Sequence, residues 1–485
     1  MKTFLLSILP LALIAQCYPC VAQNCPSGPD GGPFYCSHEI NPLPEAPLPF
    51  LGRKVSIDAN LSVIGMHGAG NSPVLVVDCN TGDVVLELAD PVPTAAHGFG
   101  YSVKILDDLI VVGDQNHMYL DSSSRLGQVY LYKIDRQVIA SGGDGIVDQF
   151  VIDDPTASFA SAVGRFGHDV GVSENFVVVG EPDQLQFANG GLASNAGAAY
   201  LFSVDNQAVV RALSDPSPNA NDMFGSYVAI EEFEEDTFIA VSDIRNDDDG
   251  SNSGKVFLYG PDSSQPIQSF PNGTEGDLFF GGRDGTFFGQ DTDIDQGRLL
   301  VTFTGGAVCY DLTAPGSPAI FVFDHEVDSA TPIYRSQTCA IDNNHVIIGA
   351  PIQYIGEETG KIFVYDLQNA PAGLEQFPVQ TISDPTTNPF VVPEEWPVSV
   401  AIDDQNIAAG SPIDLGPNLQ IYSGQANLFR SPLLGDVNFD GIVDPLDVAG
   451  FVSHVLTNEY LLEADINLDL SVDDDDIQPF LDLLN

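Results

Sequence analysis

The sequence predicts an all-β protein: a seven-bladed β-propeller of four-stranded antiparallel blades, followed by a small α-helical, calcium-binding tail. Three observations predict it. One strand–turn–strand unit recurs seven times between residues 51 and 431. A third and a fourth strand follow that hairpin in several copies, closed by an Asp-Pro step. The end of the chain carries a twelve-residue acidic loop written twice, each copy followed by an apolar, helix-like stretch. The 485 residues, 44% hydrophobic, can bury a sizeable core, but they exceed one ordinary domain unless it is built from repeats.

Residues 1–22 read as a secretory signal. Lys2 supplies a short positive region, Phe4 to Ala15 an apolar one, and Cys20-Val21-Ala22 small residues before a cut near Gln23. The run is too short for a stable membrane span. A lipoprotein cut before Cys17 is disfavoured by Gln16, which stands where a small residue is wanted. The expected location is therefore secreted, with residues 23–50 as a linker.

The repeat opens with an apolar strand, an acidic or Asn turn, and a second apolar strand ending near Gly. Val55 to Gly65, Val103 to Gly113 and Val170 to Gly180 are its clearest copies; later ones start at Val228, near Thr292, at Cys339 and at Val400. Each reads as a hairpin by alternation and turn chemistry. A third strand follows in Gly127–Tyr132, Gly197–Phe202, Gly254–Tyr259 and Gly360–Tyr365. A fourth ends before Asp90-Pro91, Asp154-Pro155, Asp215-Pro216 and Asp384-Pro385, since Pro cannot donate to a ladder. Four-strand units at a period of about 54 residues fit radial closure, which hides strand edges. No helical periodicity is expected within the propeller.

These units resemble the FG-GAP repeats of integrin α-subunit propellers. The Phe-Gly openings are Phe99-Gly100, Phe166-Gly167, Phe224-Gly225 and Phe288-Gly289. The Gly-Ala-Pro element is Gly349-Ala350-Pro351, with variants at Gly180-Glu181-Pro182 and Gly410-Ser411-Pro412. Blade five and the openings Gln337-Thr338 and Trp396-Pro397 depart from the pattern. Some blades of that family carry a calcium loop, and the nearest match is Asp243 to Gly250, with Arg245 falling at the first ligand position.

The tail copies run Asp436 to Asp447 and Asp465 to Asp476, 29 residues apart, with oxygen side chains at positions 1, 3, 5, 9 and 12. Calcium takes about 6–8 oxygens, and such a loop wraps them around it. Residues 432–485 resemble a type I dockerin. The resemblance implies calcium ligands at Asp436, Asn438, Asp440, the Ile442 carbonyl, Asp444 and Asp447, and at Asp465, Asn467, Asp469, the Ser471 carbonyl, Asp473 and Asp476. It implies a cohesin-like partner read by Pro445 and Leu446 in one copy and Asp474 and Asp475 in the other. Leu470 replaces the Gly that eases the turn. Gly450 and Pro479 disfavour helix interior, so each helix is expected to start there. The segment holds thirteen Asp and Glu and no Lys or Arg, a repulsion that calcium would offset.

Net charge is −52. Such a surface repels nucleic acid and anionic membrane and excludes both as partners. In an oxidising exterior the expected bridges are a local Cys25–Cys36 and a Cys309–Cys339 between neighbouring repeats, with Cys79 simply buried. No HExxH, GxSxG or phosphate loop is present. His168 reads as a blade-turn residue. The favoured function is a secreted, non-catalytic binding or scaffold protein whose propeller recognises a protein or glycan; the alternative is a polysaccharide-degrading propeller enzyme tethered through the same tail.

Overall fold

The computed structural model describes residues 18–19, 34–40, 50–67, 73–92, 98–117, 126–156, 164–188, 191–271, 285–324, 338–351, 360–368, 375–383, 396–403, 405–412, 424–431, 435, 437, 443, 445–457, 464, 466, 472–473 and 475–484. Seven antiparallel sheets follow one another along the chain. Blade one comprises Phe50–Asp58, Leu61–His67, Val74–Asp78 and Val84–Leu88. Blade two comprises Phe99–Leu106, Leu109–Asp114, Gln128–Ile134 and Ile146–Asp153. Blade three comprises Val170–Val172, Phe176–Glu181, Ala198–Ser203 and Val209–Leu213. Blade four comprises Phe224–Phe233, Asp236–Asp243, Lys255–Tyr259 and Gln268–Phe270. Blade five comprises Thr292–Asp295, Arg298–Phe303, Gly306–Asp311 and Ala319–Asp324, extended by a parallel Glu375–Gln376. Blade six comprises Thr338–Asp342, His345–Ala350, Lys361–Asp366 and Gln380–Ser383.

Blade seven takes only three strands from its own repeat: Ser399–Asp403, Asn406–Ser411 and Gln425–Arg430. Its fourth strand is Tyr35–Ile40, paired antiparallel to Gln425–Arg430. That strand corrects the expectation of a linker over 23–50. The ring is closed by joining the two ends of the propeller sequence in one sheet, and Tyr18–Pro19 adds a short outer strand to the same sheet.

The middle strands are apolar without interruption because both of their faces are covered. In Leu109–Asp114, Ile110 and Val112 pack toward blade one, whereas Val111 packs toward blade three. Every consecutive pair of blades shares such a cluster, including seven with one, where Ile40, Ala408 and Leu428 meet Leu51, Val55 and Ile64. Each fully buried aliphatic side chain contributes roughly 1.5–3 kcal/mol relative to exposure. The core is thus seven interblade layers.

The Phe-Gly motif is the joint between blades. Phe166, Phe224 and Phe288 each form a parallel backbone bridge to the glycine opening the third strand of the preceding blade, Gly127, Gly197 and Gly254. A Cβ on Gly127 or Gly197 would lie 1.9 Å from the partner carbonyl oxygen, so glycine is required there. Blade one uses Leu51-Gly52 in the same role, with Leu51 bridged to Gly424 of blade seven. Trp396 takes the place of Phe at the opening of blade seven, its carbonyl oxygen 1.5 Å from where a Gly360 Cβ would stand.

Three further expectations are corrected. A one-turn helix, α1 (Arg136–Ala140), interrupts blade two, nucleated by the Asp135 side chain, which accepts from the backbone N–H of Gln137 and Val138. Cys309 and Cys339 are free thiols. They pack as apolar groups in one layer between blades five and six, where burial pushes the Cys309 thiol up to about 12. Cys25 lies outside the described residues. The tail helices, α2 (Val448–Thr457) and α3 (Ile477–Leu483), begin two residues before Gly450 and Pro479. Both residues sit in a first turn, where a missing or unbonded N–H costs nothing. No described helix is long and apolar enough to cross a membrane.

Candidate functional site

The first strand of every blade lines a central channel enclosing about 390 Å³. All seven run the same way, so their ends gather at two opposite mouths. An innermost strand leaves alternate backbone N–H groups facing the channel without a ladder partner, and each must be satisfied. Neighbouring blades supply the acceptors. Ser56 Oγ accepts from Ile105 N at 3.1 Å, Asp169 from Val228 N at 3.0 Å, Thr338 Oγ1 from Val400 N at 3.2 Å and Ser399 Oγ from Val55 N at 3.0 Å. Blade five, whose sequence departs from the repeat, supplies more. Asp291, Asp293 and Asp295 accept from Cys339 N, Ile341 N and Asn343 N of blade six at 3.1, 3.0 and 2.8 Å.

Two lysines balance these carboxylates. Lys54 Nζ lies 3.4 Å from Asp169 and 3.7 Å from Asp291, and Lys104 Nζ 3.7 Å from Asp293. Burial opposes the Lys54 charge, but Asp169 and Asp291 outweigh it and hold the amine protonated, with its pKa raised. Lys54 also stands 5.6 Å from the Tyr227 ring centroid. His168, just beyond, donates Nδ1–H to the Ser226 carbonyl at 3.0 Å and packs on Tyr101 and Tyr227. Burial, reinforced by Arg165 and Arg53, pushes its pKa down to about 3, so it is a neutral blade-to-blade strut. These polar side chains were missed as a set in the sequence. Their signal was the charged or hydroxyl residue breaking an otherwise apolar first strand, as in Lys54, Ser56 and the Asp291-Thr-Asp-Ile-Asp295 run.

The mouth at the hairpin turns is acidic. Asp58, Glu174, Glu231, Glu232, Asp295, Asp342 and Asp403 all line it. Arg136 binds Asp58, and Arg298 binds Asp295 at 2.9 Å. Burial raises the Asp295 carboxyl to about 6, against Arg298 and with help from Asp342 and Glu231. Such a rim favours cationic groups and disfavours anions. On the opposite face, a small hairpin, Gln186–Ala188 with Gly191–Ala193, projects Phe187 and Leu192, 86% and 62% exposed. An exposed aromatic of this kind is a frequent contact residue in interfaces.

Of the calcium ligands expected in the tail, Asp447, Asp473 and Asp476 are described; Asp436, Asn438, Asp440, Ile442, Asp444, Asp465, Asn467, Asp469 and Ser471 lie outside the described residues. Asp447 and Asp476 are both fully buried. The Asp447 side chain accepts from Val437 N at 2.8 Å, tying the last position of the first loop to its second. Asp476 accepts from Asp473 N at 3.0 Å. Of the expected partner-reading residues, Pro445, Leu446 and Asp475 are exposed, and Asp474 lies outside the described residues. The blade-four loop from Asp243 to Gly250 is held by its own bonds: Asp248 and Asp249 each bind Lys255 at 3.2 Å, and Asp247 accepts from Asn252 N at 2.6 Å.

The FG-GAP repeat family model matches residues 210–259, from the outer strand of blade three to the third strand of blade four. No curated protein matches the chain. Among solved structures, the chain is similar to the crystal structure of the computationally designed Ika8 protein, at 11% identity, covering 82% of this chain and 93% of that one with a TM-score of 0.43.

Proposed function

We propose that the protein is an exported, calcium-binding, non-catalytic binding or scaffold protein, whose propeller recognises a protein or a glycan and whose C-terminal loops dock it to a cohesin-type partner. A propeller of FG-GAP repeats is consistent with a binding or scaffold role. The observation that carries the finer reading is the packing of the tail. Phe451 and Phe480, at equivalent positions of the two copies, stack with ring centroids 3.9 Å apart and planes 8° apart. Each backbone N–H bonds at 2.9 Å to the carbonyl of the twelfth loop residue, Asp447 or Asp476. Val437, Ala464 and Val472 complete a small shared core. Two loop–helix units packed through equivalent aromatics are what paired calcium loops require.

The donor chemistry fits calcium. Both loops offer only hard oxygens, and the two buried carboxylates, Asp447 and Asp476, lie where a loop folds back on its ion. The ligands would be Asp436, Asn438, Asp440, Ile442, Asp444 and Asp447, then Asp465, Asn467, Asp469, Ser471, Asp473 and Asp476. Bound calcium would supply the positive charge that the segment lacks and couple binding to its folding. The unlike pairs, Pro445 with Leu446 and Asp474 with Asp475, would give the partner one preferred orientation.

The test is calcium-dependent capture of a cohesin-type module by the full chain. Capture should be lost with chelator and weakened at least about tenfold by Asp447→Asn with Asp476→Asn, a change of the size seen when metal-site residues are altered. Capture that survives both would overturn docking. Turnover of a polysaccharide by the purified chain would favour the enzyme reading instead.

A further inference from the structure

Where blade three hands over to blade four, three aspartates converge. Asp215 follows the outer strand of blade three, Asp222 lies on the connection between the blades, and Asp243 ends the second strand of blade four. They are 3%, 1% and 0% exposed. Each brings a carboxylate oxygen to within 4.8 Å of the other two.

Each carboxylate accepts from a residue two or three positions away. Ser217 N donates to Asp215 Oδ1 at 2.9 Å, Asn219 N to Asp222 Oδ2 at 2.7 Å and Asn246 Nδ2 to Asp243 Oδ2 at 3.0 Å. Asp215 Oδ2 and Asp243 Oδ1 are buried and have no donor among the described residues. No Lys, Arg or His forms an ion pair with any of the three among the described residues. The cation in their neighbourhood, Lys255, is committed to Asp248 and Asp249. Tyr259 closes the site from blade four, its hydroxyl donating to the Ser214 carbonyl at 2.9 Å.

Three buried carboxylates at this spacing repel strongly in a medium of low dielectric, and an unpaired buried charge is costly. Two remedies exist: protons or a cation. The fixed orientation of the carboxylates, with two oxygens left bare, is what a metal site needs and a shared proton does not. The donors are all hard oxygen, with no imidazole or thiolate, which excludes a zinc- or copper-type preference. Their spread is no wider than twice a calcium–oxygen bond of about 2.4 Å.

We infer that the joint between blades three and four binds one divalent cation, calcium by size and donor type, on Asp215, Asp222 and Asp243. The ion would tie the exit of one blade to the entrance of the next, and would be independent of the tail loops.

The test counts calcium bound per full-length chain by equilibrium dialysis, alongside melting in calcium and in chelator. Asp243→Asn should bind one ion fewer than the parent, while Asp447→Asn with Asp476→Asn should keep that ion. Asp243→Asn should also melt lower than the parent in calcium and higher in chelator, because it removes both a ligand and a repelling charge. An unchanged count, with the same melting shift in both conditions, would overturn the site in favour of protonated carboxylates. If Asp243→Asn does not fold, Asp222→Asn carries the same expectations.

Discussion

At the scale of single residues, the propeller buries titratable groups whose signs oppose one another. Glu181 is fully buried between blades two and three; burial, reinforced by Asp154, raises its pKa well above the usual carboxylate range. A raised acid favours the folded state most below its unfolded pKa, and that advantage is lost as pH climbs through the folded value. His168 behaves oppositely. Its folded pKa of about 3 means that stability is present above the imidazole's ordinary value of 6.5 and drains away as pH falls between the two. Glu181→Gln keeps the shape and removes the buried charge, so it should stabilise the protein at pH 8 by roughly 1–2 kcal/mol. Denaturant titrations at pH 5 and pH 8 check this: the gain should shrink at pH 5, and an equal gain at both would show that ionisation of Glu181 is not its source.

At the scale of elements, the interblade joint decides which sequence features recur. Phe-Gly recurs because its phenyl ring fills the layer between blades while its backbone lies against the preceding blade's glycine; Phe224 contacts Phe257 and Tyr259 in this way. Gly197→Ala places a Cβ 1.9 Å from the Phe224 carbonyl at a φ of +86°. It should cost roughly 3 kcal/mol or more, since neither backbone can yield. Gly142→Ala is the control: its φ is +83°, but nothing lies within 4 Å, so it should cost only about 1–2 kcal/mol. Comparable losses at the two sites in urea melts would mean that backbone conformation, rather than the joint, sets the cost. The joint also explains what was legible. The hairpins, third strands and Asp-Pro ends could be read because alternation and turn residues are local. Trp396-Pro397 could be read only as an opening that departs from the pattern, and Leu51-Gly52 was illegible as a joint, because a large apolar residue against a distant glycine has no local signature. The short helix α1 was hidden for the opposite reason: a single side-chain cap at Asp135 sufficed to form it, with no period to detect.

At the scale of the whole molecule, the seven repeats alone do not make a ring. Counting from residue 51 yields seven hairpins but leaves the last blade one strand short, and the missing strand comes from Tyr35–Ile40, over 380 residues away from its partner. Nothing in that short segment announces its role; only the incomplete seventh unit could have pointed to it. The two tail helices were legible for the reverse reason, since a local apolar stretch follows each acidic loop. The tail's core among the described residues gathers around the Phe451–Phe480 stack, whereas the ring spreads its core over seven layers. Closure therefore concentrates the molecule's vulnerability at one strand. Ile40 is 1% exposed and packs between Ala426 and Leu428 of blade seven and Leu51 and Val55 of blade one. Ile40→Asp puts an unpaired charge in that layer and should cost roughly 3–5 kcal/mol. Because each blade is supported by two neighbours, the loss should not stay local. Thermal unfolding should remain one cooperative transition displaced to lower temperature, with dye binding to exposed apolar surface rising in step. An early, separate melting of blade seven, leaving the main transition in place, would show that the other six blades hold together without the closing strand.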